Sequence, residues 1–241
     1  MLINSWGNNI ICDANIFYPK NNDEIVEILK DDSKINLLSI GKSRSYGDNG
    51  INKNIIKLTE YEKKFILDEE KGSLTCSSNF TLKEILSLIV NKGFFLHVTP
   101  GSKKVTIGGA VANDIHGKNH HKDGCFSDYV EEIELILPNG KLVKCSKKNN
   151  QDLFKSTCGG VGLTGVIVGV KIKLLKINSS KMNVSVFKSE NIDDTISLIQ
   201  KYNYKKYLIA WVDTVNTNNF GRSLVITGEH SNDNYLNYQN K

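Results

Sequence analysis

The sequence predicts an α+β fold, with helices and strands interspersed and no repeating βαβ series. Three observations carry this. Two short stretches place apolar residues at helical spacing, several brief apolar runs end at charged or glycine-bearing turns, and a long β-branched run extends from Val166 to Ile177. At 241 residues the chain accommodates one large domain, or one domain and part of a second. A hydrophobic content of 39% with nine Phe, nine Tyr and two Trp supplies core material and excludes disorder as the main state.

The first periodic element is a helix over Asn22 to Asp31, because Ile25, Val26, Ile28 and Leu29 share a face and Asp23 and Glu24 occupy the first turn. The run Ile35 to Ile40 follows as a buried strand that ends at Gly41. Residues 52–79 alternate apolar stretches (Ile55, Ile56, Leu58; Phe65 to Leu67; Leu74, Cys76) with charged turns, which suits two or three strands. Thr81 opens a second helix with Thr81 and Glu84 as a capping box, Ile85, Leu86, Ile89 and Val90 as its stripe, and Gly93 as its stop. The stretch Tyr129 to Lys144 reads as a hairpin turning at Pro138-Asn-Gly140. Asp152 to Ser156 is a helical turn, followed by the cluster Gly159 to Gly165 and the β-branched run. A domain edge is placed near Ile177. Beyond it lie a polar Asn/Ser/Lys stretch, a helix over Asn191 to Tyr202, and strands over Lys206 to Val212 and Ser223 to Thr227. Ser231 and the polar residues Asn232 to Lys241 read as a frayed tail or an artificial stop.

The net charge of +5, from 31 basic and 26 acidic residues, is spread without a basic block, so no nucleic-acid partner is expected and anionic ligands are only weakly favoured. Five cysteines without a C-x-x-C pair suggest reduced thiols in a cytoplasmic protein. The first residues lack a basic region and apolar stretch of the secretory kind, and no segment reaches the ~18 apolar residues of a membrane span, so any membrane contact is expected to be peripheral.

Three segments could carry chemistry. In Gly41-Lys42-Ser43-Arg44-Ser45-Tyr46-Gly47-Asp48-Asn49, glycines allow backbone N–H groups to close around phosphate oxygens, and Arg44 adds charge; a plain glycine turn with a solvated Arg44 is the alternative. In Pro100 to Gly117, small residues at nearly every step (Gly108, Gly109, Ala110, Ala112) leave room for a flat or bulky ligand, or equally for a close crossing of two elements. His116, His120 and His121 lie close together there, but their spacing fits no standard metal set, even with Asp114 and Asp123, and no metal is expected. The third segment contains a literal G-x-G-x-x-G, Gly160 to Gly165. A dinucleotide fingerprint follows a strand and opens a helix, whereas this one follows a helical turn and opens a strand, so a nicotinamide cofactor is disfavoured.

Taken in order, Arg44-Ser-Tyr-Gly-Asp-Asn49, Pro100-Gly101, Val105-Thr-Ile-Gly-Gly-Ala110, Asp114-Ile-His-Gly-Lys-Asn-His-His121 and Gly159-Gly-Val-Gly-Leu-Thr-Gly165 resemble the FAD-binding domain of the vanillyl-alcohol-oxidase (PCMH-type) flavoenzymes. Within that group the strings are most similar to the decaprenylphosphoryl-ribose oxidase branch, over about residues 5 to 228. The resemblance implies two α+β subdomains that hold FAD between them over residues 5–177, with residues 178–241 beginning a substrate domain. It implies that Ile40 and the Gly41 to Asn49 loop wrap the diphosphate. Gly101, Ser102, Thr106, Ile107, Gly108 and Gly109 would run along the ribityl chain and isoalloxazine, with Asn113, Asp114, Ile115, His116 and Gly117 near the ring and Ile167 on the adenine side. His116 is the candidate for polarising or deprotonating a substrate hydroxyl, and a cofactor-positioning role is its alternative. Arg44 stands where covalently flavinylated relatives carry a histidine, so the FAD is expected to be non-covalent. The implied activity is oxidation of a secondary alcohol of a sugar or lipid-linked sugar in cell-envelope polysaccharide synthesis, with a short-chain reductase as partner. Alternatives are an alditol or aldonolactone oxidase and a truncated, non-catalytic FAD-binding protein. Relatives continue well beyond this length, so a truncated or split enzyme is expected.

Overall fold

The computed structural model describes residues 1–31, 36–217 and 219–238. The chain begins with an antiparallel pair, β1 (Leu2–Asn4) and β2 (Ile11–Asp13). Strand β3 (Asn15–Phe17), helix α1 (Asn22–Lys30), β4 (Leu37–Ile40) and β5 (Asn54–Lys57) then form a small parallel sheet of order β3-β5-β4. Asn21 caps α1 by accepting from the Glu24 backbone N–H at 3.0 Å. The fully buried Ile25 of α1 packs with Ile56, Leu58 and Tyr61 and with Ile136, Val166 and Val168 of the second, larger sheet.

That larger sheet is antiparallel. Strands β6 (Phe65–Asp68) and β7 (Ser73–Ser77) form a hairpin, helix α2 (Leu82–Ile89) crosses, and β8 (Phe94–Leu96) follows after Gly93, whose φ of 80° ends the helical segment. Helices α3 (Ile107–Ala112) and α4 (His120–Asp123) lead to β9 (Val130–Ile136), β10 (Leu142–Cys145), α5 (Gln151–Thr157) and β11 (Val166–Lys176). The order is β10-β9-β11-β7-β6, with β8 also paired to β11. Strand β11 is apolar along most of its length because both its faces are covered, which is why it reads as a continuous β-branched run. Leu82, Ile85 and Ile89 of α2 and Ile107 and Val111 of α3 bury against Leu74, Ile133, Leu135 and Ile172 of this sheet. Each such fully buried side chain contributes about 1.5–3 kcal/mol relative to exposure.

The last elements are β12 (Met182–Ser189), α6 (Ile192–Tyr202), β13 (Tyr207–Val212) and β14 (Ser223–His230), a three-stranded antiparallel sheet of order β12-β14-β13 with α6 on one face.

Most sequence-derived elements stand within a few residues of their expected bounds, and the Thr81/Glu84 capping box is present. Ile35, the expected start of one strand, lies outside the described residues. Two expectations need correction, and one region carried no expectation. The polar stretch after Ile177 contains strand β12, which is exposed along most of its length, with Met182, Val184 and Val186 alternating on one open face. The first residues hold three short strands that no periodicity announced. The tail is not frayed over residues 231–238. Tyr235 O accepts from Ser180 N at 2.7 Å, Tyr238 N donates to Asn91 Oδ1 at 2.7 Å, and the Tyr238 ring packs against the main core.

Candidate functional site

The end of β4, the start of α3 and the turn before β11 converge between the two sheets. They enclose a cavity of about 260 Å3, lined among others by Ile40, Gly41, Lys42, Thr106, Gly108, Gly109, Gly165 and Ile167. A second cavity of about 380 Å3 is lined by residues 39 to 47, Asn49, Thr106, Gly109, Asn113, Ile115 and Val161. Both are bordered by Ser39 to Lys42, Thr106, Gly109 and Ala112, so they form one elongated cleft.

Glycine brings these walls together. A Cβ on Gly41 would stand 2.3 Å from Thr106 Oγ1, the atom that caps α3 by accepting from Gly109 N at 3.2 Å. A Cβ on Gly165, at φ 146°, would fall 2.4 Å from Ile136 O. Gly108 crosses Ser78 so closely that a Cβ would lie 2.8 Å from the serine Cβ. Gly108 serves a close crossing, as one reading of the small-residue segment expects, while Gly109 and Ala112 face the cleft.

The segments also contribute charge. Arg44 lines the cleft with its Cζ 4.5 Å from the centre of the Trp6 ring, and its buried Nε has no hydrogen-bond partner among the described residues. At the other end Lys63 pairs with Glu84 and lies 4.8 Å from the Phe80 ring centre. Burial would raise the Glu84 carboxyl, but hydrogen bonds from Lys63 and from the Thr81 side chain and backbone outweigh it and hold the group down at about 2. Asn79 donates to Leu58 O at 2.9 Å and Tyr61 O at 2.8 Å, tying the β5–β6 connection to the cleft floor.

Of the residues singled out in the sequence, Ile40 to Gly47, Asn49, Thr106, Gly108, Gly109, Asn113, Ile115 and Ile167 line the cleft. Asp48, Gly101, Ser102, Ile107, Asp114, His116 and Gly117 do not. Ile107 points into the main core. Asp114 turns the chain at φ 39° and accepts from Ser127 N at 2.8 Å. Gly117 abuts Thr99, where a Cβ would lie 2.8 Å from the carbonyl oxygen. His116 is exposed, forms an isolated bridge with Cys125, and has its ring 5.5 Å from that of His120. Asn119 is fully buried and donates to His97 O at 2.7 Å, so part of the His116 to His121 string is structural. Among the described residues no group of three or more His, Cys, Asp or Glu is gathered as metal ligands would be. Lys63, Ser78, Asn79 and Glu84 were missed as wall residues; only Glu84 carried a local signal, its place in the capping box.

The G-x-G-x-x-G turn follows α5 and opens β11, with Gly162 at φ 82° and Gly165 on the cleft wall. This is the reverse of the strand-to-helix setting in which such glycines hold a nicotinamide dinucleotide.

Comparison with known proteins places these walls in a family. The model of an FAD binding domain matches residues 14–146, which include the β4 loop and α3. Decaprenylphosphoryl-beta-D-ribose oxidase of Mycolicibacterium smegmatis is 30% identical over 185 residues, covering 74% of this chain and 40% of that protein. An uncharacterized protein of Streptomyces coelicolor is 31% identical over 153 residues, 63% of this chain and 41% of its own length. D-lactate dehydrogenase of Anaerostipes hadrus is 26% identical over 153 residues, 61% of this chain and 32% of its own. The chain thus spans about two fifths or less of the length of these relatives. With more than half of its residues matched by the domain model, and with the β4 loop and α3 of the cleft inside that match, the chain belongs to the FAD-binding-domain family.

Proposed function

We propose that this chain is the flavin-binding part of an FAD-dependent oxidoreductase that oxidises a secondary alcohol of a sugar or polyprenyl-phosphoryl sugar. The observation that carries the reading is the cleft itself, closed by glycines at which a Cβ would collide with the opposite wall and bordered by an arginine without an ion-pair partner among the described residues. That donor set fits a dinucleotide with a diphosphate at its centre. The Gly41 to Asn49 loop would hold the diphosphate, Gly101, Ser102 and Thr106 to Gly109 the ribityl chain and ring, Asn113 to Gly117 the ring edge, and Ile167 the adenine side. Arg44 offers no nucleophile for a covalent link, so the cofactor would be dissociable.

FAD supplies the hydride acceptor when bound. The protein orients the reacting carbon and accepts or polarises the hydroxyl proton. His116 is the candidate for that proton, at an exposed corner beside α3, and a cofactor-positioning role is the alternative. Residues 5–177 would form the flavin domain, and residues 178–241 would begin the substrate domain. The sugar assignment draws on the ribose oxidase among the relatives; on this reading the protein would act in cell-envelope polysaccharide synthesis, in the cytoplasm, with peripheral membrane contact and a reductase that consumes the keto product. No described helix is long and apolar enough to cross a membrane. A non-catalytic flavin-binding module is the second reading, favoured by the position of His116 outside the cleft lining.

The test is an absorbance spectrum of the purified protein, followed by heat denaturation and analysis of the supernatant. Flavin bands with FAD released to the supernatant support the site and its non-covalent character, whereas colour in the pellet would overturn the latter. A folded protein that takes up no added FAD would sink the reading. Anaerobic bleaching of bound flavin by polyprenyl-phosphoryl ribose, and its absence with alditols, separates the substrate classes.

A further inference from the structure

The β1–β2 hairpin lies outside the matched family region, yet it is built onto the cleft loop. Ile3 of β1 is buried in one cluster with Leu38 and Ile40 of β4, the strand that delivers the loop. The hairpin turn is closed locally: Ser5 N donates to Ile10 O at 3.2 Å, Asn8 N to Ser5 O at 3.0 Å, and Ser5 Oγ to Asn9 Oδ1 at 2.8 Å. From this turn Trp6 N donates to Ser45 O at 3.0 Å, and a Cβ on Gly7 would stand 3.6 Å from Tyr46 O. The turn therefore rests on the backbone of residues 45 and 46.

The side chains repeat the contact. The Trp6 ring carries the Arg44 guanidinium at 4.5 Å, and no carboxylate among the described residues pairs with that arginine. A guanidinium held over an indole by cation–π attraction keeps N–H donors available for an anion. A half-exposed tryptophan on a closed turn is thus the element that limits the orientations open to Arg44, which lines the cleft.

We propose that the N-terminal hairpin is a latch on the cleft loop and that Trp6 is a positioning residue: it acts through Arg44, fixing the guanidinium so that its N–H donors meet the anionic centre of bound FAD. This rests on the flavin reading above. The chain has two tryptophans, so Trp211→Phe leaves Trp6 as the single indole and a direct reporter. Titration of that variant with FAD is expected to change Trp6 emission saturably, while riboflavin, which lacks phosphate, does not. Trp6→Ala is expected to raise the Kd for FAD roughly five- to tenfold, with Trp6→Phe recovering most of the loss, because an aromatic face for the cation is restored. In an Arg44→Ala background, Trp6→Ala should change the Kd by less than about twofold, since the two residues act as one unit.

Circular dichroism checks that each variant folds. If Trp6→Ala does not fold, Trp6→Leu takes its place under the same criterion, because leucine keeps apolar bulk and removes the ring. An unchanged Kd on loss of the ring, or an equal loss with and without Arg44, would overturn the proposal. A folded parent chain that binds no FAD at all would instead overturn the flavin reading.

Discussion

The two parts of the chain on either side of Ile177 are stabilised differently. Before it, α2, α3 and the strands of the larger sheet share a continuous apolar core in which Leu74, Leu82, Ile85, Ile107, Ile133 and Leu135 are fully buried. After it, the only hydrophobic side chain buried among the described residues is Val225. At the end of the β12–β14 ladder, against α6, lies instead a set of hydroxyls: Thr195 Oγ1 is 2.6 Å from Ser189 Oγ and 2.9 Å from Ser223 Oγ, with Asn191 O and Gly221 O, each at 2.9 Å, as acceptors for its single proton. The other face of that sheet is apolar and open, with Val184 58%, Val186 56% and Trp211 71% exposed. The lesson is that the region which builds the cleft is held by packing and is intolerant of added volume, whereas the later sheet is held by backbone pairing and a small polar network. Hydrogen exchange should follow the same division, with β12 to β14 exchanging faster than β9 and β11.

The strongest way to break the comparison is at Gly165. Its φ of 146° and the 2.4 Å approach of a Cβ to Ile136 O leave no room for a side chain, so Gly165→Val is expected to cost more than about 3 kcal/mol and to abolish FAD uptake. A denaturant melt with m and midpoint within error of the parent would show that the wall is not over-determined.

In the later sheet the matching test is Thr195→Val, which keeps shape and removes the shared hydroxyl. Ser189 and Ser223 remain bonded to each other at 2.8 Å, but the carbonyl of Gly221 loses a donor. The expected loss is about 1–3 kcal/mol, read as faster exchange confined to β12, β14 and α6, with the FAD titration unchanged. Faster exchange spreading into β11 would mean that the two parts unfold as one unit.

Much of this division was legible in the sequence, for identifiable reasons. Strand β11 announced itself because a strand covered on both faces is a β-branched run, and α2 because its capping box precedes a helical stripe. The cleft loops were visible as glycine clusters. Strand β12 was missed because its apolar alternation, Met182, Val184 and Val186, is short and set among polar residues, and its eight register pairs with β14 are set by a partner more than thirty residues away. Lys63 and Asn79 were missed because they join the wall only when the β5–β6 connection folds back, which no local spacing encodes.

A pH scan sharpens the comparison at the seam. His97 stacks on Tyr129 with ring centres 3.8 Å apart, and burial, with Lys206 and Lys173 nearby and Asp123 opposing, pushes its imidazole down to about 4. A depressed value means that the unfolded chain binds the extra proton first. The contribution is therefore complete above about 6.5 and is lost as pH falls from there through about 4. Discounted for partial exposure, the effect is on the order of 1–2 kcal/mol. The difference between parent and His97→Gln melts should carry this slope and flatten above pH 7, and a difference independent of pH would remove His97 from the account.

The smallest expected effect lies on the open face. Val186 sits opposite Ile226 in the β12–β14 register, and its side chain is more than half exposed. Val186→Thr keeps the β-branched shape that suits a strand and exchanges one methyl for a hydroxyl that water can reach, so stability should move by no more than about 0.5 kcal/mol. The same exchange at Val168, which packs with Ile25 and Ile56 between the two sheets, places that hydroxyl where water cannot follow and should cost about 1–3 kcal/mol. Equal losses at the two positions would mean that Val186 is covered in solution, and that the face left open in the monomer is occupied.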